Sequence, residues 1–91
     1  MVKFYIIVVY DITEERNHKV FKVLKRYLFR VQNSVFEGEL TPSKYKQLIN
    51  ELNSIIDTHS DDKILIYKLL SKKHLYVDTL GSQARKEAII I

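Results

Sequence analysis

The segment Phe4-Tyr5-Ile6-Ile7-Val8-Val9-Tyr10 is β-branched or aromatic at every position, without the alternation of a half-exposed strand. Such a run predicts a central strand covered on both faces and stopping at Asp11. Thr13 is a candidate N-cap, with Glu14 and Glu15 placed to favour the positive end of the helix that follows. That helix is expected to run to about Leu28. Val20, Leu24, Tyr27 and Leu28 recur on its apolar stripe, while Lys19, Lys22, Lys25 and Arg26 fall mostly off it. From Phe29 to Leu40, strand formers surround Asn33-Ser34, which predicts two short strands or one bulged hairpin. Thr41-Pro42 supplies an N-cap and a proline at the first helical position. Tyr45, Leu48, Ile49, Leu52, Ile55 and Ile56 then mark one stripe of a second amphipathic helix. Lys63 to Leu70 reads as a fourth strand and Leu75 to Leu80 as a short fifth, before a tail ending Ala88-Ile89-Ile90-Ile91.

Strand, helix, two strands, helix, strand is the order of a ferredoxin-like βαββαβ sandwich, an α+β fold with both helices on one face of an antiparallel sheet. The fifth strand is left over, and three terminal isoleucines are poorly suited to water. Residues 1–91 are therefore expected to form one domain, with the strand and tail from about 75 to 91 pairing with a sheet edge across a homodimer.

Length agrees: 91 residues allow one small domain, which buries a modest share of its surface and gains from oligomerisation. The absence of cysteine excludes a disulfide framework, a zinc knuckle and a thiol nucleophile, and fits the cytoplasm. The apolar run at Phe4–Tyr10 is far short of the roughly 20 residues that span a bilayer, so neither membrane nor secretory targeting is expected. Fifteen Lys and Arg against eleven Asp and Glu leave a net charge of +4, and its placement is uneven. No acidic residue lies between Glu15 and Glu37, where Arg16, Lys19, Lys22, Lys25, Arg26 and Arg30 all fall. A single-sign helix face meets self-repulsion and points to a polyanion held by its phosphates, without base-specific readout. The solvated face of an ordinary amphipathic helix is the alternative.

Asp11, immediately after the C-terminal end of the first predicted strand and before the cation-rich helix, is the best-placed candidate for chemistry. Opening the turn and helping to cap the helix near Thr13 is its other reading. Phosphodiester cleavage without a histidine pair or a cysteine relies on a divalent metal with hard oxygen ligands, and one chain supplies too few. A twofold axis near Asp11 would double the set. Two carboxylates about 4 Å apart repel by roughly 4 kcal/mol at an effective dielectric near 20, so such a pair implies a bound cation, a shared proton or a wider gap. Asp61-Asp62 reads as a solvated loop, His59 and His74 lack a second ligand at metal spacing, and His18 joins the cationic face. Tyr10 and Phe36 are candidates for stacking on bases, against the commoner role of core aromatics.

Tyr5-Ile6-Ile7-Val8-Val9-Tyr10-Asp11, the helix ending Leu24-Lys25-Arg26-Tyr27-Leu28, and Gln32-Asn33-Ser34-Val35-Phe36-Glu37-Gly38 together resemble the family of CRISPR-associated protein 2 over nearly the whole chain. The resemblance implies a ferredoxin-like homodimer in which the C-terminal strand of each protomer joins the sheet of the other. It implies that Asp11 is the catalytic and metal-binding aspartate, sharing one Mg²⁺ with its copy. Tyr10, Arg16, Arg30, Ser34 and Phe36 are the residues it assigns to supporting the site or contacting nucleic acid, beside the basic face at Lys19, Lys22 and Arg26. It further implies an endonuclease for single-stranded RNA or duplex DNA, acting in antiviral defence and spacer acquisition. A non-catalytic DNA scaffold between dimers of CRISPR-associated protein 1, the integrase, is the second reading. A small-ligand regulatory domain is a third, disfavoured by the few loop glycines.

Overall fold

The computed structural model describes residues 2–81. β1 spans Phe4–Asp11, α1 Glu14–Tyr27, β2 Phe29–Gln32, β3 Val35–Leu40, α2 Pro42–Ile55 and β4 Lys63–Leu69, followed by a 3₁₀ turn at Lys72–His74. The sheet order is β2-β3-β1-β4, with every neighbouring pair antiparallel. This is the expected ferredoxin-like α+β arrangement. Its helices start where the sequence places them. Thr41 caps α2 by accepting a hydrogen bond from the Lys44 amide at 3.2 Å, with Pro42 opening the helix. The segment from Phe29 to Leu40 forms two strands joined at Asn33-Ser34, with a register irregularity between Arg30 and Gln32.

Strand parity divides β1 into two faces. Ile6, Val8 and Tyr10 point to the helices and pack with Val20, Val23, Leu24, Leu28, Phe36, Leu40, Leu48 and Leu52 in the core. Tyr5, Ile7, Val9 and Asp11 take the opposite parity, beside Val35, Glu37 and Glu39 of β3 and Lys63, Leu65, Tyr67 and Leu69 of β4. The expectation that β1 is covered on both faces is corrected for the single chain: both helices lie on one side, and Ile7 and Val9 are only half-buried. Apolar residues remain exposed on the uncovered face, Phe29 at 75%, Tyr67 at 53% and Leu65 at 43%.

Three boundaries differ from the sequence reading. β1 includes Asp11, because the ladder with β4 extends to the pair Asp11 and Lys63. β4 ends one residue early, at Leu69. The fifth strand expected at Leu75–Leu80 is absent from the sheet of the described residues: Ser71 caps a 3₁₀ turn, and residues 75–80 beyond it have no ladder partner. A strand needs a paired edge; among the described residues none receives this segment, whose expected edge is that of a second protomer. Tyr76 and Leu80 are exposed at 85% and 92%. The expectation for the remaining tail, 82–91, lies outside the described residues.

Candidate functional site at the end of the first strand

Asp11 is the last residue of β1 and is exposed on the uncovered sheet face. Among the described residues its carboxylate takes part in no hydrogen bond or ion pair. Its two hard oxygens suit a divalent cation such as Mg²⁺. They supply only part of a coordination shell, and no group of three or more His, Cys, Asp or Glu able to hold a metal occurs among the described residues. Two copies of Asp11 meeting on the uncovered face would supply a second carboxylate.

The turn after Asp11 is heavily tied. Asn17 Nδ2 donates to the Ile12 carbonyl at 3.4 Å, and the amides of Arg16 and Asn17 both donate to the Thr13 carbonyl at 3.0 Å. Thr13 is the N-cap of α1, but its hydroxyl does not cap the helix. That hydroxyl instead donates to Asp62 and accepts from Arg16 Nη2 at 2.8 Å. The reading of Asp61-Asp62 as a solvated loop is therefore corrected at Asp62, whose side chain is fully buried and bound to Arg16 Nε at 2.5 Å. The Arg16 guanidinium holds this carboxyl well below the usual carboxylate range, and Asp62 in turn pushes Arg16 upward. Sequence inspection misses the pair because its members lie 46 residues apart. Arg16 thus stands behind the site, with Nη2 also donating to Ser60 Oγ at 3.2 Å.

On the hairpin side, the Tyr10 amide donates to the Ser34 carbonyl at 3.1 Å, which sets the Asn33-Ser34 turn beside the end of β1. Arg30 is exposed, donates to Asn33 Oδ1 at 2.8 Å and lies over the Phe21 ring. Base stacking by Tyr10 and Phe36 is corrected. Phe36 is 0% exposed and Tyr10 is 3% exposed. Phe36 packs against Tyr10 with centroids 6.2 Å apart and edge-on to Phe21 at 5.8 Å. Their alternation puts them on the helix side, so both support the strand end from inside the core. Burial raises the Tyr10 phenol, which reaches the Asn33 carbonyl at 3.4 Å.

The basic face also changes in three dimensions. Arg26 is paired with Glu51 of α2, which accepts from Tyr27 as well, so two of the six cations in the acid-free segment, Arg16 and Arg26, have acidic partners from elsewhere in the chain. Lys19, Lys22 and Lys25 are exposed and have no acidic partner among the described residues. At the other end of the uncovered face, a recess of about 590 Å³ lined by Lys3, Tyr5, Phe29, Glu37 and Lys72 lies away from Asp11. There Tyr5 donates to the buried Glu37 carboxylate at 2.7 Å, and burial followed by that bond pushes the Tyr5 phenol up.

Fold and site together define a small ferredoxin-like α+β sandwich with one exposed strand-end carboxylate, an ion pair with a buried Asp62 side chain in the turn after it, and exposed lysines on the first helix. The sequence profile of CRISPR associated protein Cas2 matches residues 3–76. The chain belongs to that family. It is 41% identical over 86 residues to the CRISPR-associated endoribonuclease Cas2 of Thermotoga maritima, covering 94% of this chain and 98% of that one. It is 51% identical over 67 residues to the protein of that name from Pyrococcus furiosus, covering 74% and 78% of the two chains. A crystal structure of Streptococcus pyogenes Cas2 at pH 6.5 superposes with a TM-score of 0.72 at 38% identity, covering 85% of this chain and 99% of that one. Another Cas2 crystal structure reaches 0.81 at 43% identity, covering 87% of both.

Proposed function

We propose that this chain is a cytoplasmic, Mg²⁺-dependent endonuclease of CRISPR adaptation, cutting single-stranded RNA or duplex DNA from a homodimer whose two Asp11 carboxylates hold one metal ion. The relatives named as CRISPR-associated endoribonucleases support the activity. The observation that carries the reading is the placement of Asp11: it lies at the end of β1 on the sheet face left uncovered by the helices, in line with half-buried Ile7 and Val9. A second copy seated on that apolar face through a twofold axis would bring Asp11 toward its own copy. The metal, when bound, would activate water and neutralise charge at the scissile phosphate. Each chain's own contribution is to hold one carboxylate at a fixed place, while Lys19, Lys22 and Lys25 attract the phosphate backbone without reading bases.

The test compares wild type with Asp11→Asn on single-stranded RNA and duplex DNA, with and without Mg²⁺, alongside sedimentation to read the oligomeric state. The expected result is metal-dependent cleavage lost in Asp11→Asn, with the dimer unchanged. Cleavage persisting in a clean Asp11→Asn preparation, or without a divalent metal, would overturn it.

A non-catalytic DNA scaffold bridging dimers of the CRISPR-associated protein 1 integrase is the second reading. The exposed lysines favour it, since they suit backbone binding without chemistry. It expects Asp11→Asn to support spacer integration fully.

A further inference from the structure

The hydrogen bonds converging on Asp62 exceed what joining α2 to β4 requires. Oδ1 accepts from the Thr13 amide at 3.1 Å and from the Thr13 hydroxyl at 3.3 Å. Oδ2 accepts from Arg16 Nε at 2.5 Å and from the Asp57 amide at 3.1 Å. One fully buried carboxylate thus gathers four donors from three residues. A charge is buried at such cost only where its partners are complete.

Two of these residues, Thr13 and Arg16, follow Asp11 closely in sequence. Thr13 lies two residues after it. Asp62 is the immediate neighbour of Lys63, the ladder partner of Asp11. The strand end carrying Asp11 is therefore closed into a ring: from Asp11 through Ile12 to Thr13, across the hydrogen bonds to Asp62, along the chain to Lys63, and back through the β1–β4 ladder. Arg16 reinforces the ring by also bonding Thr13 Oγ1 and Ser60 Oγ.

We propose that Asp62 and Arg16 are positioning residues for Asp11, fixing the end of β1 so that its carboxylate can take part in a metal site. This rests on the reading of Asp11 as a metal ligand. The physical demand is clear for Mg²⁺, which requires near-ideal octahedral geometry and tolerates poorly placed oxygens badly. A site formed by two copies of one residue counts any displacement of that residue twice, once in each protomer. Asp11 itself is exposed and makes no side-chain bond among the described residues, so its precision must come from its backbone. Partners that orient metal ligands from behind typically change metal affinity by about 10–100-fold when removed.

The experiment titrates Mn²⁺ alone into the full-length protein, followed by calorimetry, for wild type, Asp11→Asn, Asp62→Asn and Arg16→Gln. It also measures single-turnover RNA cleavage and the proton shift and exchange of the Thr13 amide by NMR. Circular dichroism and sedimentation select folded protein of wild-type assembly state. Asp62→Asn and Arg16→Gln are expected to bind Mn²⁺ about tenfold more weakly. The cleavage rate should fall while RNA affinity holds, and the Thr13 amide should lose protection. Arg16→Lys, keeping a charge near Asp62, should recover part of the metal affinity. If Asp11→Asn binds Mn²⁺ like wild type, the metal-ligand reading fails, whatever the other variants do. If Asp11→Asn abolishes binding while folded Asp62→Asn and Arg16→Gln keep wild-type Mn²⁺ affinity, the positioning role fails alone. A loss that only tracks the unfolded fraction, with normal affinity in the folded remainder, equally overturns it in favour of a plain loop anchor.

Discussion

Replacing Phe36 separates its core role from a nucleic-acid role. The ring is 0% exposed, tilted against Tyr10 and edge-on to Phe21. Truncation to alanine removes the whole ring and leaves a cavity, a change costing about 3–5 kcal/mol in a packed core. Set against a typical total stability of about 5–15 kcal/mol, Phe36→Ala endangers the fold and is uninformative about binding. Phe36→Leu keeps most of the apolar volume. It sacrifices the two aromatic contacts, each worth about 0.5–1.5 kcal/mol, so a net loss of about 1–2 kcal/mol is expected. Urea unfolding followed by circular dichroism, at one fixed protein concentration because association shifts the midpoint, measures that loss. Fluorescence anisotropy with single-stranded RNA measures affinity on the same samples. Base stacking on an aromatic ring is worth about 1–3 kcal/mol, so a stacking Phe36 would weaken RNA binding by about 5–150-fold on replacement. The buried position expects less than a twofold change. An unmoved urea midpoint with a tenfold loss of RNA affinity would refute the core assignment.

Replacing Lys19 and Lys22 together with glutamine should lower the salt dependence of duplex binding by about 1.8 in log–log slope if each meets one phosphate. Arg26→Gln should change it less, because Glu51 already offsets that charge; equal effects would refute the distinction. Gly38 faces Leu28, and a β-carbon built there stands 3.0 Å from Leu28 Cδ2. Gly38→Ala is therefore expected to lower stability in urea by about 1–2 kcal/mol, overpacking outweighing the smaller backbone gain; unchanged or higher stability would show that Leu28 yields freely. Asp62 has a folded-state pKa held below its ordinary 3.8 chiefly by Arg16. Its contribution to stability is thus complete above that value and is lost as pH falls below it toward the depressed folded-state value. Asp62→Asn should lower the thermal midpoint at pH 7 and flatten its decline below pH 4; a variant with the wild-type acid profile would contradict this.

What was legible in the sequence was whatever neighbouring residues decide among themselves. Thr41-Pro42 marks the start of α2 because cap and proline act within one turn. The strand formers on either side of Asn33-Ser34 mark the hairpin because both strands lie beside their turn. Asp11 stood out because the end of a strand-forming run followed by a cation-rich helix is a local pattern. The missing parts are non-local. Asp62 looks solvated beside Asp61, and only the fold brings Arg16 to it. Arg26 looks unpaired until α2 places Glu51 against it. Leu75–Leu80 has strand composition, yet a strand exists only with an edge to pair with, and composition says nothing of where that edge lies.

Strand parity links the uncovered face to the candidate site. Side chains alternate along β1, so Tyr10 belongs to the core with Ile6 and Val8, while Asp11 shares the other face with Tyr5, Ile7 and Val9. A one-residue shift in the pairing of β1 would exchange the two sets, turning Asp11 into the core and Tyr10 out of it. The burial of Ile6, Val8 and Tyr10 against the helices therefore fixes which way Asp11 points. The same register leaves Ile7, Val9, Leu65 and Tyr67 as an apolar surface on the face that carries that carboxylate. Core packing, the proposed dimer surface and the proposed metal ligand are thus consequences of one period-two pattern, and Asp62 secures the strand end on which that pattern finishes.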